Sequence, residues 1–140
     1  MVAGVVCSGF TTVQGRDGIR ASTKLTRRIF KGVRDIEHPW LYIYIHNPTW
    51  KNVSVSKIKF DVYVNGEFYG PGSGDLTPDW HSERWDTNVL PFERSVICWC
   101  GWKVVEDEPE GIYVMKITIY ATVDGEGIEL KTKAVFRVIL

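Results

Sequence analysis

Polar and apolar residues alternate with a period of two over the last third of the chain. From 113 to 123 the odd positions are Tyr113, Met115, Ile117, Ile119, Ala121 and Val123, while the even ones include Lys116, Thr118 and Thr122. From 128 to 140 the parity reverses: Ile128, Leu130, Thr132, Ala134, Phe136, Val138 and Leu140 share one face, and Glu129, Lys131, Lys133 and Arg137 the other. Successive side chains of an extended chain point to opposite faces, so this pattern predicts two half-buried antiparallel strands. An odd-inward strand pairs with an even-inward one only across a loop with an even number of residues. Asp124-Gly125-Glu126-Gly127 permits a two- or four-residue loop, so turn chemistry and parity agree.

Upstream, residues 54–64 turn Ile58, Phe60, Val62 and Val64 inward and Lys57, Lys59 and Asp61 outward. Residues 40–46 are apolar on both faces, as expected of a central strand covered on each side. Residues 19–30 read as one strand, with Ile19, Ala21, Thr23, Leu25 and Ile29 opposed to Arg20, Ser22, Lys24, Thr26 and Arg28. Residues 82–90 and 94–105 supply two more, separated by Pro91-Phe92; residues 2–7 add an edge strand, and 32–37 a helical turn. Pro48 lacks an amide hydrogen and restricts Asn47, so the strand ending at His46 must turn there, and the Asn47 side chain is suited to bonding the backbone of that turn. Asn65-Gly66 is a two-residue hairpin signal of type I′, pairing Val64 with Glu67 and Val62 with Tyr69. Gly70-Pro71-Gly72-Ser73-Gly74 is expected to end any strand. Seven or eight strands separated by such turns predict one all-β domain: an antiparallel two-sheet β-sandwich of immunoglobulin or fibronectin type III kind.

The 140 residues suffice for one domain with a substantial core, and 17 basic residues balance 17 acidic ones. The balance is local rather than uniform. Residues 1–34 hold Arg16, Arg20, Lys24, Arg27, Arg28, Lys31 and Arg34 against Asp17 alone, a net of +6, leaving −6 for the remainder. A strand with one solvated basic side accounts for this. No apolar run approaches the ~18 residues that span a bilayer, and residues 1–10 lack the basic start of a signal peptide. Cys7, Cys98 and Cys100 form no even disulfide framework, and the side chains of the last two, at i and i+2 of one strand, stand too far apart to bridge. Buried reduced thiols point to a cytoplasmic setting; an extracellular or membrane-anchored one holds if the chain is part of something longer. One Gln and four Asn match the depletion of thermolabile residues in thermophiles.

The strand ending Leu41-Tyr42-Ile43-Tyr44-Ile45-His46-Asn47-Pro48, the alternating strand 53–63 and the hairpin Val64-Asn65-Gly66-Glu67-Phe68-Tyr69 with its glycine-rich sequel resemble a known pattern. It is that of the water-stress and hypersensitive-response (WHy) domain of group 2 late embryogenesis abundant proteins, which have bacterial and archaeal members. The resemblance covers roughly residues 19–138, and its specific part is Asn47-Pro48 plus Asn65-Gly66. It implies a small non-enzymatic sandwich, associated with desiccation or heat stress, that binds or protects other molecules; it supplies no catalytic residues. The Trp-rich segment 80–102 departs from the family pattern.

Chemistry-bearing residues converge weakly. His38, His46 and His81 are scattered, and a zinc site built on Cys98, Cys100 and one histidine competes with simple burial of the thiols. Asp75, Asp79, Glu83 and Asp86 match no calcium-loop spacing, and 106–110 reads as a solvated acidic turn. No Ser or Cys is paired with a His by a recognisable motif. The expectation is therefore no enzyme, no metal and no cofactor. Six tryptophans are the better prospect: Trp80, Trp85, Trp99 and Trp102 are the candidate interaction surface, for a protein or glycan partner. Nucleic acid is not expected, because the basic cluster lies at 16–34 and the Trp-rich segment is acidic. A monomer or weak homo-oligomer is expected. The rival function is a carbohydrate- or protein-binding fibronectin-like module of a cell-surface assembly.

Overall fold

The computed structural model describes residues 10–11, 17–30, 40–76, 88–101 and 109–139. They form ten strands and, among the described residues, no helix: β1 (Phe10–Thr11), β2 (Arg20–Leu25), β3 (Ile29–Phe30), β4 (Trp40–His46), β5 (Val53–Val64), β6 (Glu67–Leu76), β7 (Asn88–Val89), β8 (Arg94–Gly101), β9 (Gly111–Val123) and β10 (Glu126–Val138). One sheet has the order β1-β2-β4-β8; the other runs β3-β10-β9-β5-β6, with β7 beside the start of β5. Pairing is antiparallel throughout except for the short parallel contact of β3 with β10. The protein is an all-β two-sheet sandwich. The surplus over eight strands comes from β1 and β3, each two residues long, while β7 is the described end of the strand expected at 82–90.

Burial follows the alternation. Leu41, Ile43 and Ile45 of β4 meet Ile58, Phe60 and Val62 of β5, Ile117 and Ile119 of β9, and Leu130 and Phe136 of β10 in one continuous core. Asp124-Gly125 forms the two-residue version of the β9–β10 loop, so Ile128 lies opposite Ala121 and Leu130 opposite Ile119. Both loop residues have positive φ, as do Asn65 (50°) and Gly66 (88°) in the β5–β6 hairpin. That is the type I′ signature, and Val64–Glu67 and Val62–Tyr69 pair as the sequence predicts. The Asn65 amide ties this hairpin to the start of β9: Nδ2 donates to Glu110 O (3.2 Å) and Oδ1 accepts from Ile112 N (2.9 Å).

Three expectations are corrected. Residues 19–30 are two strands, because the chain leaves one sheet after Leu25 and joins the other at Ile29. The crossing is held where Thr26 Oγ1 accepts from Trp40 N (2.9 Å) and Arg137 N donates to Arg28 O (2.7 Å). The change of sheet breaks the parity, so Ile29 is 53% exposed instead of inward. The glycine-rich run 70–74 does not end β6: between the Val62–Tyr69 and Phe60–Gly74 pairs it bulges out, and the strand then resumes to Leu76. Ser73 replaces the missing ladder bonds, its Oγ accepting from Val62 N (2.9 Å) and donating to Tyr69 O (2.8 Å). The third correction concerns β4, whose outward residues Tyr42, Tyr44 and His46 are only half-buried, so that face is not a second core. The edge strand at 2–7, the helical turn at 32–37 and most of the strand at 82–90 lie outside the described residues.

Candidate functional site: an aromatic tip pinned by Asn47

Beyond β4 the chain must turn at Asn47-Pro48, and the turn is built on one buried amide. Asn47 is 0% exposed. Its Nδ2 donates to Lys51 O (2.6 Å), Leu90 O (3.1 Å) and Val89 O (3.3 Å). Its Oδ1 accepts from Thr49 N (3.1 Å) and Thr49 Oγ1 (2.6 Å). The backbone adds Asn47 N to Glu93 O (2.9 Å) and Phe92 N to Thr49 O (3.2 Å). One side chain thus locks two loops together, the β4–β5 corner and the β7–β8 turn. The second loop is closed by Glu93 N donating to Leu90 O (3.1 Å) and by the Glu93 carboxylate, which accepts from Ser95 Oγ (2.5 Å).

Those loops carry apolar side chains where turn chemistry favours small polar ones. Trp50 is 83% exposed, Phe92 55% and Leu90 51%. The Trp50 and Phe92 rings meet edge to face, centroids 4.5 Å apart. Phe92 also holds a left-handed backbone (φ 60°), a conformation that costs a residue with a Cβ about 1–2 kcal/mol and that Asn or Gly adopts more readily. A strained backbone that displays an exposed ring at a rigid tip is the arrangement expected of a contact surface.

The outward sheet faces are the second feature of the surface. On the four-stranded sheet, Arg20, His46 and Arg94 form one cross-strand row. Arg20 donates to His46 Nδ1 (2.9 Å), and the Arg94 guanidinium lies 4.3 Å from the centre of the Tyr44 ring. Burial first, then the charges of Arg20 and Arg94, hold the His46 imidazole below its ordinary value of 6.5. On the six-stranded sheet, β5, β9 and β10 turn Lys57, Lys59, Lys116, Lys131, Lys133 and Arg137 outward, with Asp61, Asp75 and Glu129 among them.

Of the four tryptophans expected to form the interaction surface, Trp80, Trp85 and Trp102 lie outside the described residues. Trp99 sits on β8 opposite Tyr42, its side chain outside the description. The tryptophan seen exposed is Trp50. The sequence does hold its signal: Asn47-Pro48-Thr49-Trp50 and Leu90-Pro91-Phe92 are both turns that end in a large aromatic. Asn47, Pro48, Asn65 and Gly66 stand at the corner and hairpin, where they hold backbone. Cys98 is buried opposite Ile43 while His46 faces outward, so these two cannot share a zinc ion. Among the described residues no three His, Cys, Asp or Glu side chains gather to hold a metal. Asp75 lies 3.7 Å from Lys57, and Asp79, Glu83 and Asp86 lie outside the described residues. No helix among the described residues is long and apolar enough to cross a membrane.

No protein-family model and no curated protein matches this sequence. Among solved structures, the chain is similar to the solution structure of a protein provisionally described as late embryogenesis abundant. Identity there is 15% and TM-score 0.44, over 85% of this chain and 71% of that one. It is also similar to a family 123 glycoside hydrolase from Clostridium perfringens that acts on glycolipid glycans, at 15% identity and TM-score 0.37. That match covers 79% of this chain but 22% of the hydrolase. Neither likeness assigns this chain a family or an activity.

Proposed function

We propose that the protein is a non-enzymatic binding and protective module of the late embryogenesis abundant, WHy-like kind, which engages apolar surface on molecules destabilised by drying or heat. The observation that carries this reading is the preorganised tip of Trp50, Leu90 and Phe92, exposed on loops that the buried Asn47 amide holds rigid. Rigid aromatic side chains supply apolar contact area at low entropic cost, which suits transient capture of many partners. The sequence resemblance at Asn47-Pro48 and Asn65-Gly66 agrees with it, since both pairs serve as structural punctuation.

The test is recovery of a labile client enzyme after drying or heating with equal masses of this protein or albumin, alongside the double variant Trp50→Ser/Phe92→Asn. Asn suits the left-handed backbone at 92, so the variant keeps its fold while losing the rings. Better recovery than albumin, falling to albumin's level in the variant, is expected. No advantage over albumin refutes protection. The nearly complete exposure of the Trp50 ring favours one second reading, a glycan- or protein-binding module: glycan-array binding abolished by Trp50→Ala, without client protection, establishes it instead.

A further inference from the structure

The outward face of the six-stranded sheet brings together residues that are scattered in sequence. Lys133 of β10 lies directly opposite Lys116 of β9, and Lys131 lines up across β9 Thr118 with Lys59 of β5. Neighbouring strands stand about 4.8 Å apart and alternate residues about 6.7 Å apart along a strand, so the four ammonium groups form a compact cationic field. Like charges facing each other across strands oppose folding. Asp61 sits at the β5 edge of the field, directly opposite Lys116 and 4.0 Å from Lys59, while the Lys116 ammonium lies 4.6 Å from the centre of the Tyr63 ring. Among the described residues, no carboxylate lies within ion-pair distance of Lys131 or Lys133. The field is aromatic as well as cationic: Tyr63 stands beside Lys116, and Tyr120 lies on the row adjoining Lys131.

Tyr120 borders an open depression of about 430 Å³, which Ser56, Thr122, Gly127 and Glu129 also line. Ser56 is the extra residue where the β5–β9 register shifts. Gly127 contributes no side chain, and the space where its Cβ would stand is empty to 4 Å. The Lys57 ammonium lies 4.7 Å from the centre of the Tyr120 ring, so a flat heterocycle entering the depression would stack on the tyrosine beside a further cation. Glu129 disfavours a phosphate there but accepts a hydrogen bond from a base amine. Bases at Tyr120 and phosphates on the lysines are the two halves of a single-strand binding surface, in which stacking and a cationic track act together.

We propose that this face binds single-stranded nucleic acid, with a base against Tyr120 and the backbone running over Lys59, Lys116, Lys131 and Lys133. The sequence pointed away from nucleic acid because its basic and Trp-rich segments lie apart; the strand register interleaves a different set, lysines with tyrosines. An anionic vesicle or acidic polypeptide would share the charge but not use Tyr120.

The test is fluorescence anisotropy with labelled 15-mers of deoxycytidine and cytidine, whose bases carry the amine that Glu129 would accept from, against vesicles with 30% phosphatidylserine and against polyglutamate. Binding should weaken with salt, log K falling against log salt with a slope of about −2.8 if each of the four lysines neutralises one phosphate. Lys131→Glu/Lys133→Glu should weaken it at least tenfold, and Tyr120→Ala several-fold with the salt slope unchanged. Each variant is checked to keep the wild-type melting curve, and the two act independently, so a folding defect in one leaves the other decisive. No oligonucleotide binding at 50 mM salt, equal affinity for vesicles or polyglutamate, or indifference to Tyr120→Ala each overturns the proposal.

Discussion

Replacing Asn47 by Ala should be among the most damaging single changes in the molecule, although it removes only a small polar side chain. The amide nitrogen has two hydrogens shared among the carbonyls of Lys51, Val89 and Leu90, and the amide oxygen accepts twice from Thr49. Four effective hydrogen bonds at roughly 1 kcal/mol net each give a loss of about 4 kcal/mol. Water reaching the loop carbonyls reduces that to about 3 kcal/mol, still a large share of the ~5–15 kcal/mol typical of a domain. Urea unfolding followed by tryptophan fluorescence would show a lower midpoint with an unchanged m-value, because the surface exposed on unfolding is the same. Asn47→Asp sharpens the test. The new carboxyl keeps the acceptor side but confronts three carbonyls, so burial and repulsion raise its pKa above the ordinary carboxylate range. A raised folded pKa means stability is fullest at acid pH and is lost as pH rises through that value. A loss below about 1 kcal/mol for Asn47→Ala, or no recovery of Asn47→Asp on acidification, would refute the view that this amide holds the two loops.

Gly66→Val should cost about 1–2 kcal/mol from its left-handed backbone alone, since a Cβ there meets nothing within 4 Å. Gly111→Ala should cost more, because its Cβ would run into the Asn65 amide; comparison of their thermal midpoints checks both. Thr132→Val should raise stability by about 1 kcal/mol, as the buried Thr132 hydroxyl has no hydrogen-bond partner among the described residues. A fall in midpoint on that change would mean the hydroxyl is satisfied. His46 is neutral in folded and unfolded states above pH 6.5; below it the unfolded chain takes the proton first, because the folded value is depressed. Stability should therefore decline as pH drops below 6.5, and His46→Gln should flatten that part of a midpoint-against-pH curve.

The parts of the fold legible in the sequence are those fixed by local chemistry. Period-two alternation reports which face of β9 and β10 is buried, and Asn65-Gly66 and Asp124-Gly125 announce turns because few residue pairs accept positive φ twice. What failed was non-local. Nothing at Thr26-Arg27-Arg28 says that the chain changes sheets, since that depends on where β10 lies, and the parity of Ile29 was lost with it. The run 70–74 looks like a strand end because glycine and proline weaken ladders, yet Ser73 restores the pairing from a distance in sequence that no local pattern reports. Asn47 was readable as a turn residue, but its bonds to Val89 and Leu90 join segments more than forty positions apart. For the same reason the tip of Trp50 and Phe92 was only half legible: each turn ends in a large aromatic, but their meeting is a property of the two loops together.

Photo-crosslinking addresses the proposed role of the tip most directly. A benzoylphenylalanine placed at Trp50, with a second protein carrying it at Thr118 on the polar outward face of the six-stranded sheet, would be heated with a labile client enzyme and illuminated. Adducts at position 50 should appear as the client begins to unfold, be absent with the native client, and exceed those at position 118. Protection of the client with no adduct at position 50, or equal adducts at both positions, would contradict capture through Trp50, Leu90 and Phe92.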